Sequence, residues 1–182
     1  MNMKNNANRY NSLSIGIHWL MLLLLAAVYA SMELRGLFPK GSDPRDAMKL
    51  WHFMLGLSVL GLVLIRLTVR VSSKTPEIQP APPKWQARSA TALHIALYAL
   101  MIGIPLLGWL TLSASGKPIP FFGLQLPALI SENKDLGKQI KEIHETFGTV
   151  GYFLIGLHAT AAMFHHYVVR DNTLRRMLPF QS

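Results

Sequence analysis

Charged residues thin out four times along the chain. Leu13–Met32, Leu50–Val71, Ser89–Ser115 and Thr146–Val169 are uncharged or nearly so. Each is long enough to cross the roughly 30 Å hydrocarbon layer of a bilayer as a helix. The pattern predicts spans over about 13–33, 48–71, 89–114 and 144–169, the last holding 24 residues without a formal charge from Thr146 onward. Glu33-Leu34-Arg35-Gly36 ends the first span, and Pro39, Gly41 and Pro44 mark a short loop. Pro76, Pro80, Pro82 and Pro83 keep the 72–88 connector extended. Pro105, between Gly103 and Gly108, predicts a kink in the third span. The apolar stretch Ile119–Ile130 contains Pro and Gly, so it should lie on the membrane surface or cap the bundle. From Ser131 a polar helical pattern leads into the fourth span. Residues 1–12 form a polar lead-in and Arg170–Ser182 a short basic tail. The expected fold is all-α: one membrane domain, residues 1–182, built as a four-helix transmembrane bundle.

Composition agrees with this reading, since 51% of residues are hydrophobic and only 15% charged. The net charge of +9 would suit a nucleic-acid binder, but the basic residues cluster at helix ends. Anchoring and orientation explain them better than nucleic acid does. Residues 1–12, 66–88 and 170–182 carry 10 Lys and Arg, against 8 on the opposite side, which also holds seven of the nine acids. That balance predicts both termini in the cytoplasm. Lys4 and Arg9 before the first span resemble a signal-peptide flank, but the length of the span and its His18-Trp19 argue that it is retained. The absence of cysteine excludes thiolate metal sites, disulfides and haem attached through Cys-x-x-Cys-His.

The chemistry lies with the histidines. His144 and His158 are 14 residues apart on the last span. They return within roughly 40° of one face, about 21 Å apart along the axis. Equal depth counting from the helix ends pairs His18 with His158 at an inner level and His52 with His144 at an outer one. Small residues follow one turn later, with Gly56 after His52, Gly148 after His144 and Ala162 after His158. Two levels of paired imidazoles beside small residues suit bis-histidine haem ligation. His94, followed by Tyr98, is a weaker ligand candidate and a substitute for His18. A histidine-lined path for zinc or iron, or a purely structural bundle, remains open on spacing alone.

The motifs Ile17-His18-Trp19-Leu20, Glu33-x-Arg35-Gly36 and His52 sit in the first half. His144-Glu145, Gly151-Tyr152, Gly156-Leu157-His158, His165-His166-Tyr167 and Asp171-Asn172-Thr173-Leu174-x-Arg176-Met177 sit in the second. Together these resemble the bacterial cytochrome b561 family of di-haem, four-span proteins over essentially the whole chain. The resemblance implies two non-covalent b haems on His18 with His158 and His52 with His144. It also implies a multi-pass protein of the bacterial inner membrane. The implied activity is an oxidoreductase's, with superoxide oxidised outside and ubiquinone reduced. An alternative is a cytochrome subunit fed by a partner dehydrogenase. The partners to expect are lipid, quinone and a small donor, with a second copy of the chain an open case.

On this reading Lys134, Lys138 and Lys141, with Arg35 and Lys49, would focus an anion toward the outer level. Nearby carboxylates make a merely solvated helix face the competing reading. Arg66, at the inner level, would meet a haem propionate or serve only as an anchor. His94, His165 and His166 are candidates for the quinone site or a proton relay.

Overall fold

The computed structural model describes residues 9–179, so Lys4 and the rest of 1–8, and 180–182 of the tail, lie outside the described residues. Four long helices dominate: α1 (Ser12–Leu34), α2 (Asp43–Ser72), α3 (Lys84–Ala114) and α4 (Lys134–Phe164). All four have the length and apolar composition to cross a membrane. Within lipid such helices satisfy their own backbone groups, which an open sheet could not do.

The ends follow local chemistry. Asn11 caps α1 by accepting from the Ser14 amide at 2.7 Å, and Asn133 caps α4 by accepting from Leu136 at 3.0 Å. Pro44 sits in the first turn of α2 beside Asp43 and Asp46, and Pro83 precedes α3. These polar turns explain why α2, α3 and α4 begin five, five and ten residues before the apolar windows at 48, 89 and 144. Hydropathy sees only the lipid-embedded part of a helix. α3 passes through Pro105 as one element.

Between α3 and α4 the chain forms an antiparallel hairpin, β1 (Ile119–Phe121) with β2 (Leu124–Leu126). Its two turn residues, Phe122 and Gly123, both have positive φ, as tight hairpin turns require. Ile119 is buried and Phe122 packs on Trp51, ring centroids 6.3 Å apart. The Phe122 amide also donates to Met54 Sδ at 3.4 Å. The apolar 119–130 stretch therefore starts as a cap on α2, one of the two placements its composition allowed.

The best-packed core joins Met21, Val59, Val63 and Met101, with Leu24, Leu25, Val28, Leu62, Leu97, Tyr98 and Ile102 around it. These residues come from α1, α2 and α3. α4 packs closely along α3 but reaches α1 mainly through long side chains. Tyr29 donates to the Gly148 carbonyl at 2.9 Å, and Tyr152 donates to Glu33 at 2.7 Å. α4 thus faces α1 and α2 across a gap wider than a helix–helix contact.

Candidate functional site

Both histidine pairs span that gap. The rings of His52 (α2) and His144 (α4) have centroids 6.0 Å apart, and those of His18 (α1) and His158 (α4) are 6.2 Å apart. An imidazole nitrogen binds a metal at about 2.0–2.1 Å and lies about 1.1 Å from its ring centre. Two imidazoles on opposite sides of one metal thus have centroids about 6.3 Å apart. Both pairs have that separation.

The outer pair also has its tautomers set. His52 Nδ1–H donates to the Val28 carbonyl on α1 at 3.3 Å, with Ser31 Oγ at 3.5 Å. His144 Nδ1–H donates to the Ile104 carbonyl on α3 at 3.0 Å. A carbonyl can only accept, so each Nδ1 carries the proton and each Nε2 keeps its lone pair free for a metal. Each ring is held by the backbone of the preceding helix. The seat for His144 is Gly108, where a Cβ would come 3.2 Å from His144 Cε1. Beside the ligands themselves, a Cβ at Gly56 or Gly148 would meet nothing within 4 Å, so open space lies where a planar macrocycle would pass. Ligand spacing, tautomer and clearance all fit a haem gripped by two histidines. Among the described residues no three His, Cys, Asp or Glu groups converge to hold a bare ion, whereas a haem asks the protein for only two.

The other residues singled out in the sequence are distributed as follows. Arg66 approaches the Ser14 carbonyl on α1, one turn before His18, at 3.5 Å. His94 stands on α3 with its ring 5.4 Å from that of His158. Lys134, Lys138 and Lys141 are exposed, paired with Glu132 at 3.5 Å, Asp135 at 3.7 Å and Glu145 at 2.9 Å. Lys49 pairs with Asp46 at 2.7 Å. These pairings reduce the field each lysine projects. Arg35 makes no ion pair among the described residues, and its buried Nε has no partner.

At its C-terminal end α4 widens into a π-helical turn, His165–Val169, and Arg170 turns left-handed with φ 61. The tail is then folded against the bundle, which its basic composition did not announce. His165 Nδ1 meets Asp171 at 2.5 Å, and Asp171 also accepts from the Thr173 amide at 2.8 Å. Burial opposes a charge on Asp171, but these hydrogen bonds hold its carboxyl below the usual carboxylate range. Asn172 clasps the connector through Gln79 and Glu77, Arg176 bonds the Pro76 carbonyl, and Trp19 donates to the Met177 carbonyl at 2.7 Å. Trp19 adjoins His18, so the tail braces the inner level. His166 Nδ1 is buried without a partner among the described residues.

Comparison with known proteins accounts for nearly the whole chain. The family described as prokaryotic cytochrome b561 matches residues 9–180. "Cytochrome b561 homolog 1" of Escherichia coli K12 is 44% identical over 172 residues, covering 94% of this chain and 98% of the relative. "Probable superoxide oxidase CybB" of Yersinia pestis is 40% identical over 171 residues, covering 94% and 96%. "Cytochrome b561 homolog 2" of E. coli is 29% identical over 180 residues, covering 98% and 95%.

Proposed function

Because this chain belongs to the prokaryotic cytochrome b561 family, a family of membrane electron carriers that use haem b, we propose that it oxidises superoxide at its outer face and reduces ubiquinone. The reading places two b haems in the inner membrane of a bacterium and both termini in the cytoplasm. The observation that carries it is the pair of imidazole couples, 6.0 and 6.2 Å across, strung 14 residues apart on α4. The superoxide assignment draws on the name borne by the Yersinia relative.

In this mechanism His52 with His144 and His18 with His158 would hold the two haems, and Arg66 would meet a propionate of the inner one. When bound, haem b supplies a one-electron redox centre at each level. Arg35 draws the anion to the outer mouth, and the exposed Lys134, Lys138 and Lys141 add a weaker, half-neutralised field. Two superoxide anions leave as two molecules of oxygen, giving up two electrons. The quinone takes those electrons with two protons from the cytoplasmic side. His166 offers its free Nδ1 to a quinone oxygen, and His165, anchored on Asp171, relays protons. Ordered side chains thus guide an anion in from one face and protons from the other.

The test is a count of haem followed by a rate. Purified protein should give two haems per chain by pyridine haemochrome, and His52→Ala or His144→Ala should give one. Mixing with superoxide in a stopped-flow instrument should reduce the haem without added partners. Haem that superoxide leaves oxidised would favour a cytochrome subunit served by a dehydrogenase. Protein purified without haem under ample porphyrin supply would overturn the reading in favour of ion transport.

A further inference from the structure

A phenol that belongs to neither histidine pair also crosses the gap from α1 to α4. Tyr29 lies 11 residues after His18 on α1, which returns it to within about 20° of the same face. Its hydroxyl donates to the Gly148 carbonyl of α4 at 2.9 Å. Gly148 and Gly151 stand four and seven residues after His144, and ten and seven before His158. The crossing therefore falls between the two levels.

Gly151 is the socket for this side chain. It is buried, and a Cβ there would overlap the Tyr29 hydroxyl, while Tyr29 Cζ would stay 3.4 Å away and Leu100 Cδ1 3.5 Å. The overlap is with one oxygen atom. The ring is also held from the side: it packs on the Tyr152 ring, centroids 4.3 Å apart, and Tyr152 donates back to Glu33 of α1 at 2.7 Å. The residue before Tyr29 supplies the carbonyl that takes His52 Nδ1–H at 3.3 Å. One turn of α1 thus fixes His52 through its backbone and reaches the helix that carries His144 through a side chain.

We propose that Tyr29 is the spacer of the bundle, a positioning residue that holds α4 off α1 at the width the histidine pairs need. The proposal rests on the bis-histidine reading above, since that width has a use only if each pair closes on a metal. Packed helices approach to about 8–10 Å between axes, and an unfilled gap forfeits dispersion contacts, so the gap tends to close. A phenol wedged across it and hydrogen-bonded at its far end opposes that closure before any cofactor arrives. Its hydrogen bond lands one turn from His144, so the outer pair depends on it more than the inner.

The experiment takes full-length protein stripped of haem, titrates haem back, and records the low-spin EPR signal of the ferric form. The outer centre is identified as the one lost in His144→Ala. Compared are wild type, Gly151→Ala, Tyr29→Phe and the double variant. Gly151→Ala should weaken outer haem binding about tenfold, weaken the inner less, and shift the outer EPR signal. Tyr29→Phe, which keeps the ring and loses one hydrogen bond, should cost about threefold. The double variant should bind no worse than Tyr29→Phe alone, because the overlapping oxygen is gone. A Gly151→Ala chain that folds only when Tyr29→Phe is added supports the same coupling. Additive losses, a harmless Gly151→Ala, or a double variant that fails to fold would overturn the proposal.

A second measurement needs no haem. The chain has no cysteine, so nitroxides can be placed on Ala26→Cys and Phe153→Cys, both exposed positions of α1 and α4. In the haem-free protein Tyr29→Leu should shorten the label distance by about 1–2 Å, the scale of shifts between packed helices. An unchanged distance would overturn the spacer role. Wild type that takes up no haem, yet shows this shortening with Tyr29→Leu, would sink the ligand reading alone.

Discussion

One missing side chain gives His144 its hydrogen bond. Gly108 leaves α3 bare where the imidazole lies, so the ring reaches the Ile104 carbonyl one turn away. In Gly108→Val the branched side chain would collide with Cε1 and push Nδ1 off that carbonyl. The expected result is a selective loss of outer haem affinity of about tenfold to a hundredfold, read by haem titration of the apoprotein, with inner binding unchanged. A second residue-scale prediction concerns Arg35. Because each lysine of the outer helix already faces a carboxylate, Arg35→Gln should slow haem reduction by superoxide about tenfold at low salt. Lys138→Gln should have a smaller effect, and both should fade as ionic strength rises. Equal sensitivity at the two positions would count against a leading role for Arg35.

Among the elements, the folded tail is the part whose stability depends on pH. Asp171 is buried, and its carboxyl is held below the usual range by His165 and Thr173. A depressed folded-state value means the contribution is complete above the unfolded value of about 3.9. It is lost as pH falls through the folded one. Amide protection at Thr173 should therefore be flat near neutrality and collapse in acid. Asp171→Asn should lower that protection by about 1–3 kcal/mol at neutral pH and remove the acid transition. Since Trp19 beside His18 also leans on Met177, inner haem should leave this variant faster than outer haem. Hydrogen exchange with mass spectrometry reads the first effect and haem transfer the second.

The whole molecule has a polarity that the proposed activity uses. The hairpin caps one end of the bundle, and the tail with its connector caps the other. If both termini face the cytoplasm, the hairpin end meets the donor. The chain has no cysteine, so single cysteines report sidedness cleanly. Lys138→Cys should react with an impermeant maleimide added to intact spheroplasts, and Arg175→Cys only after lysis. The reverse pattern would invert the topology and place superoxide oxidation on the wrong side.

Much of this was legible along the chain because lipid leaves the backbone few choices. Uninterrupted apolar length marked all four helices, and the fixed rise and turn of a helix put His144 and His158 on one face and matched them in depth with His52 and His18. Contacts between segments distant in sequence were not legible, since hydropathy carries no partner information. The Asp171–Asn172–Arg176 clasp looked like a basic tail. Gly108 looked like part of a proline kink. Periodicity along one helix determined where each imidazole stands, but only packing between helices decided what the second nitrogens of His52 and His144 face, because that depends on which neighbouring backbone the fold brings within about 3 Å.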